Sequence, residues 1–248
     1  MFDNTKICMN EQIRMVFHYF VRNFNARQAA LEMQEITGLR QEKHVANVFR
    51  DCRRQVHKWM QNYYRRTKLG RNGRVIEIDE SIFGTIGEDQ SKVWVLGFYE
   101  RGTNEMRAIH VKDRTEQTLT RVILENVQEG AEIITDFWRG YNGVKDFYKH
   151  RVVNKAKKGY GTSEYMTTVH VESMWGQLKR ITMHYLNCAK PEWVQSFLDE
   201  GIWRIKYKKS SERIDFLLQI NSYHHYQAEK QTDLQPIHRS FKEPDAYF

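Results

Sequence analysis

The chain has 248 residues and sets 39 Lys and Arg against 31 Asp and Glu, a net charge of +8. That length can bury a real core as one large domain or two small ones, and the basic balance favours polyanionic partners, nucleic acid before anionic membrane. Three scattered cysteines (Cys8, Cys52, Cys188) argue against a disulfide framework and a cysteine-built zinc site, and no apolar run is long enough to span a bilayer.

In chain order, Ile13, Val16, Phe17, Phe20, Val21 and Phe24 recur at helical spacing and predict an amphipathic helix over 10–24. Asn25 is placed to cap a second, short helix running through Glu35. Thr37-Gly38-Leu39 reads as a turn, and a long helix follows from Gln41 to Tyr64 along the seam Val45, Val48, Phe49, Cys52, Val56, Trp59, Met60 and Tyr63. Three helices with a short Gly-containing turn before the last predict an all-α, helix-turn-helix-like domain over 1–72.

Its charge pattern gives that domain a task. Arg50, Arg53, Arg54, Lys58, Arg65, Arg66, Lys68, Arg71 and Arg74 accumulate on the last helix and its exit, with Asp51 the only interleaved acid. A solvated helix face normally mixes signs, so a run this one-sided points to phosphate contacts and salt-dependent DNA binding.

The middle of the chain predicts an α/β domain over 73–210. Arg74–Asp79 reads as a buried strand, and Lys92–Glu100 and Glu105–Lys112 as two more, joined by a turn at Gly102-Thr103-Asn104. Thr115 is placed to cap a helix through Gln128, ahead of a fourth strand at Ala131–Thr135. A helix near Tyr141–Tyr148 and a strand near Arg151–Asn154 follow, and then helices. This order predicts an RNase H-like catalytic domain, a mixed five-stranded sheet with flanking helices. Residues 211–248 are expected to form a C-terminal helix and a polar tail.

Three acids stand out. Asp79 closes the first apolar run, Asp136 closes the run Ala131-Glu-Ile-Ile-Thr-Asp136, and Glu172 opens a helical stretch. An Asp at a strand end is often a turn or cap residue, and a Glu at a helix start favours the helix dipole. In combination they form a carboxylate set able to hold two divalent cations for phosphodiester chemistry. Alternation along the strand points Glu80 away from Asp79. Trp175 shares the Glu172 face, where it either stacks on a base or joins the core.

Four segments resemble the Merlin-type DDE transposases and their bacterial insertion-sequence relatives of the ISXO type. They are Val75-Ile-Glu-Ile-Asp-Glu-Ser-Ile-Phe-Gly84, Thr135-Asp-Phe-Trp-Arg-Gly-Tyr141, Val171-Glu-Ser-Met-Trp-Gly-Gln-Leu-Lys-Arg180 and Phe197-Leu-Asp-Glu-Gly-Ile-Trp-Arg204. The resemblance implies a catalytic triad of Asp79, Asp136 and Glu172 holding two Mg²⁺ ions, with Mn²⁺ able to substitute. Lys179, two helical turns beyond Glu172, joins the catalytic set by holding a phosphate near the metals, and Lys179 and Arg180 extend the DNA-binding surface. Relatives often carry a His-Thr-Asn set before the third motif, where this chain reads Thr167-Thr-Val-His170. Many also begin with a zinc ribbon, for which this chain lacks the cysteines.

The implied activity is cleavage of double-stranded DNA at the terminal inverted repeats of a transposon and transfer of the 3′-hydroxyl ends into target DNA. Pairing two ends implies a homodimer or a larger synaptic assembly. The alternatives are a domesticated transposase that binds DNA without cutting it, and another RNase H-like nuclease. The N-terminus lacks a signal-peptide pattern, so the expected location is the nucleus of a eukaryote, or otherwise the cytoplasm or nucleoid. Lys155-Ala-Lys-Lys158 and Lys206-Tyr-Lys-Lys209 read as nuclear signals or as phosphate-binding patches.

Overall fold

The computed structural model describes residues 20–37, 42–87, 90–153, 167–186, 190–209 and 211–215. The expected helix over 10–24 lies mostly outside them, as do the turn at 38–39, the basic cluster at 155–158 and the tail beyond 215.

Helix α1 spans Ala26–Thr37 and α2 spans Glu42–Arg66. Asn25 caps α1 in a reciprocal arrangement: its Oδ1 accepts from the Gln28 backbone N–H at 2.8 Å, and Gln28 Oε1 accepts from the Asn25 N–H at 3.1 Å. Two of the helix's orphan donors are thereby satisfied. Val45, Phe49, Val56, Met60 and Tyr64 recur along α2 at helical spacing and form its buried face.

Five strands follow: β1 (Val75–Ile86), β2 (Ser91–Glu100), β3 (Met106–Val111), β4 (Glu132–Asp136) and β5 (Lys149–Val153). Their order in the sheet is β3-β2-β1-β4-β5. β1, β2 and β3 pair antiparallel, whereas β4 and β5 run parallel to β1. This is the mixed five-stranded sheet with flanking helices that the sequence predicts.

The details differ in three places. β1 does not stop at Asp79 but continues to Ile86, kinked by a register shift between Ile82 and Thr85 where Gly84 takes φ +85°. The expected helix at Tyr141–Tyr148 is a 3-10 helix over Arg139–Asp146, and β5 begins two residues earlier than expected.

Helix α3 (Glu116–Asn126) begins at Thr115, whose hydroxyl accepts from the Thr118 N–H. Helices α4 (Val169–Leu186) and α5 (Val194–Lys206) complete the described elements, and none of the described helices is long and apolar enough to cross a membrane.

Strand alternation splits the core in two. Ile76, Ile78, Leu96, Phe98 and Ile133 face α3 and the 3-10 helix. Phe83, Val93, Val95 and Ala108 face α4 and α5. The second cluster does not end there. Phe20, Met33, Phe49 and Met60 belong to it too, with Phe20 stacked 6.0 Å from the buried Trp203 ring of α5. The N-terminal helices and the sheet therefore share one core.

Polar ties reinforce the junction. Along one edge of α2, Arg53 Nε donates to Glu200 Oε2 at 2.7 Å, His57 Nδ1 lies 2.6 Å from Asp199 Oδ2, and Gln61 donates to the same oxygen at 2.9 Å. The spacing of four residues sets all three on one helical face. The buried Arg107 of β3 closes the exit of α2 by donating to the Tyr64 and Thr67 carbonyls and to Asn126 Oδ1. A cation at a helix C-terminus complements both its orphan carbonyls and its dipole.

Candidate metal centre

β1 and β4 are parallel neighbours, and their last paired residues are Glu77 and Ile134. Asp79 and Asp136 each lie two residues beyond that pair. Neighbouring strands run about 4.8 Å apart and residues in register share a face, so the two carboxylates converge where the strands part. Beyond Glu77, β1 stays on β2 while β4 continues against β5, where Asp136 pairs with Val153. A notch opens between them.

That notch explains the residue which alternation hides. Glu80 does start from the opposite face, with Oε1 3.0 Å from Arg114 Nη1 and Oε2 accepting from the Tyr141 hydroxyl. Its chain is long enough to reach round the parted edge. Asp79, Glu80 and Asp136 each bring one carboxylate oxygen into a group whose members all lie within 4.8 Å of one another. The expectation that Glu80 points away from Asp79 is therefore corrected. Three like charges so close repel one another, an arrangement that a hard cation with oxygen preference relieves.

Each carboxylate is held by named neighbours. The Trp175 indole Nε1 donates to Asp79 Oδ2 at 3.1 Å, and the Trp138 backbone N–H donates to Asp136 Oδ1 at 3.0 Å. Arg114, the partner of Glu80, is sandwiched between the Trp94 and Trp138 rings, 3.8 and 4.4 Å from their centroids. Burial and the Glu80 charge push the Tyr141 phenol well above its ordinary pKa, so Tyr141 stays a proton donor to Glu80.

The fully buried Glu77 sets α4 against β1. Its carboxylate accepts from the His170 and Val171 backbone N–H groups at 2.9 and 3.2 Å, from the His170 ring, and from Arg101 Nε at 2.7 Å. A carboxylate at a helix N-terminus satisfies orphan donors and favours the dipole. Sequence reasoning missed Glu77, although its register on the Asp79 face of β1 was a usable signal.

Glu172 lies on the first turn of α4, exposed, and accepts from the Thr168 hydroxyl at 3.0 Å. It is not one of the three acids within 4.8 Å. Lys179 follows along α4 with its ammonium 5.4 Å from the Phe83 ring centroid, and Arg180 is exposed. Trp175 is only 6% exposed, in the core rather than on a binding face.

The predicted DNA-binding cations separate by helix face. Arg54, Lys58, Arg65 and Arg66 are exposed on α2, as are Lys68 and Arg71 beyond it. Arg50 is half-buried. Arg53 is turned inward, ion-paired to Glu200 and stacked 3.9 Å over the Phe197 ring.

A mixed sheet that gathers carboxylates at the parting of two parallel strands defines the class, an α/β domain with a candidate metal site at its sheet edge. Residues 69–206 match the ISXO2-like transposase domain, and the chain belongs to that family.

No curated protein matches it. Among solved structures it is similar to a chain in the simian T-cell lymphotropic virus intasome in complex with the PP2A regulatory subunit B56 gamma. That match has 15% identity and a TM-score of 0.38 over 77% of this chain and 64% of that one. It is also similar to the HTLV-2 integrase catalytic core domain in complex with magnesium, at 11% identity and a TM-score of 0.35 over 57% of this chain and 89% of that one.

Proposed function

We propose that this protein is a metal-dependent DNA transposase that cleaves double-stranded DNA at transposon ends and joins the 3′-hydroxyls to target DNA. One observation carries the reading: in a chain of the ISXO2-like family, Asp79, Glu80 and Asp136 converge within 4.8 Å at the end of two parallel strands. Their oxygens suit Mg²⁺, with Mn²⁺ as substitute, and a pair of ions is the arrangement that in-line phosphoryl displacement uses. Bound there, divalent cations supply Lewis-acid charge on the phosphate and lower the pKa of the attacking water or hydroxyl.

The chain's own residues do the rest. Asp79 and Asp136 offer oxygens from adjacent strands, and Glu172 adds a carboxylate from α4. Arg114 and Tyr141 hold Glu80 in the group. Lys179 and Arg180 meet phosphates along α4. The exposed stripe of α2, with Lys43, Arg54, Lys58 and Arg65 spaced by eleven, four and seven residues along one face, grips the duplex as part of a helix-turn-helix-like unit over 1–72. The catalytic unit extends over 73–210, ahead of the C-terminal helix and tail, and two protomers pair the two ends.

The test is nicking and end joining of DNA carrying the flanking inverted repeats, in Mg²⁺ or Mn²⁺, with wild type beside Asp136→Asn. Joined products should vanish in the variant while DNA affinity stays within about twofold, because the lost group meets metal rather than sequence. Equal loss of binding and cutting would remove Asp136 from the metal site. Hydrolysis without joining by the wild type would make the protein a nuclease, and tight binding without cutting would make it a domesticated binding protein.

A further inference from the structure

We infer that Trp175 is a positioning residue for the Asp79 carboxylate, and that Gly97 is the opening that lets its indole arrive; this rests on the metal-site reading above. Gly97 stands directly opposite Asp79 in the β1–β2 register. A Cβ on Gly97 would lie 2.4 Å from the Trp175 Cζ2 and Cη2 atoms and 2.8 Å from Met174 Cε. The indole thus crosses the strand at the one cross-strand position without a side chain, and its Nε1 ends 3.1 Å from Asp79 Oδ2.

The ring is fixed elsewhere too. Phe83 meets it edge-on with centroids 5.4 Å apart at 69°. The helix that carries it is fastened by Glu77 two positions before Asp79 on the same strand. At 6% exposure the indole N–H has little access to water, so the carboxylate is its partner.

The terminal torsion of an aspartate is broad and roughly two-fold, so a carboxylate on an open notch swings unless something holds it. The indole supplies that restraint from the side away from Asp136. Donors that orient a ligating carboxylate are worth about 10–100-fold in metal affinity, and Trp175 falls in that class. The inference assigns Trp175 no contact with DNA and no proton to transfer.

Two variants separate the N–H from the packing. Trp175→Phe keeps most of the ring and removes the donor, whereas Met174→Leu alters packing over the same glycine and leaves the donor in place. Mn²⁺ affinity is read by electron paramagnetic resonance and Mg²⁺ affinity by calorimetry, on the full chain without DNA. Wild type and Met174→Leu should bind alike, and Trp175→Phe about 10–100-fold more weakly, with thermal unfolding still cooperative. Equal affinity of Trp175→Phe and wild type overturns the inference and leaves the metal site standing. Absence of binding by the wild type overturns the metal-site reading and the inference with it.

If Trp175→Phe does not fold, the ¹⁵N-indole spectrum of the wild type decides. Among the six tryptophans, one indole N–H resonance should shift on Mg²⁺ addition, and Asp79→Asn should abolish that shift. Six unmoved resonances at a Mg²⁺ concentration that saturates binding overturn the inference.

Discussion

Phe137 follows Asp136 directly and leaves 77% of its surface in solvent, beside the half-buried Trp138 that braces Arg114. Under the proposed function, a large apolar ring next to a candidate metal ligand is placed to stack on an unpaired base, the role that sequence alone offered to Trp175. Stacking of one base is worth about 1–3 kcal/mol. Phe137→Ala should therefore weaken binding of DNA with frayed ends by about 5–150-fold on that scale and leave the melting temperature unchanged; equal affinity in a fluorescence titration would exclude the platform.

At the same scale, Asp79 and Asp136 were legible because each ends an apolar run that only a strand explains. Glu80 was not, because alternation assumes a strand with a continuous neighbour, and β4 leaves β1 after Glu77. Glu77 was hidden for a different reason. A carboxylate inside a β-branched run looks like an outward-facing residue until the helix whose N-terminus it caps is in place.

Among the elements, α2 is fastened to α5 by two adjacent acids with opposed titrations. Burial would raise the Glu200 carboxyl, but Arg204 and Arg53 outweigh it and hold the group below the usual carboxylate range. Burial dominates at Asp199 and raises it, against the bonds from His57, Gln61 and Gln195. By linkage, the Glu200 contribution is present above the ordinary glutamate pKa and is lost as pH falls through its depressed one. The Asp199 contribution has the reverse sign: it favours the fold at low pH and is lost as pH rises through the elevated value.

Arg53→Met should thus cost about 2 kcal/mol at pH 7, since Glu200 keeps Arg204 but loses one charged donor. The deficit should shrink as pH falls through the depressed Glu200 pKa of the wild type, below which Glu200 is protonated in both proteins. Urea melts at both pH values check this, and a deficit independent of pH would separate Arg53 from Glu200. Existence and order of the strands were legible in the sequence, as was the capping of α1 by Asn25. The inward turn of Arg53 was not, because it directly precedes the outward Arg54 and charge counting ignores the 100° between them.

At the scale of the whole molecule, among the described residues Arg54, Lys58 and Arg65 share the solvent face of α2. Each phosphate contact contributes about 0.9 to the slope of log affinity against log salt. Arg54→Gln with Arg65→Gln should lower that slope by about 2 and weaken all duplexes alike. An unchanged slope would take the stripe out of the DNA interface, and loss confined to one sequence would mean base readout instead.

The 25 residues of α2 make a rod about 37 Å long, since each adds about 1.5 Å, and that rod shares its core with α4, the helix that carries Trp175. Measured against duplex DNA, it spans about 11 base pairs at about 3.4 Å each. A grip on such a rod acts as a ruler. Under the proposed function, α2 shares its core with the sheet, so the interval between the gripped turn of DNA and the bond to be cut would be counted out by the fold itself.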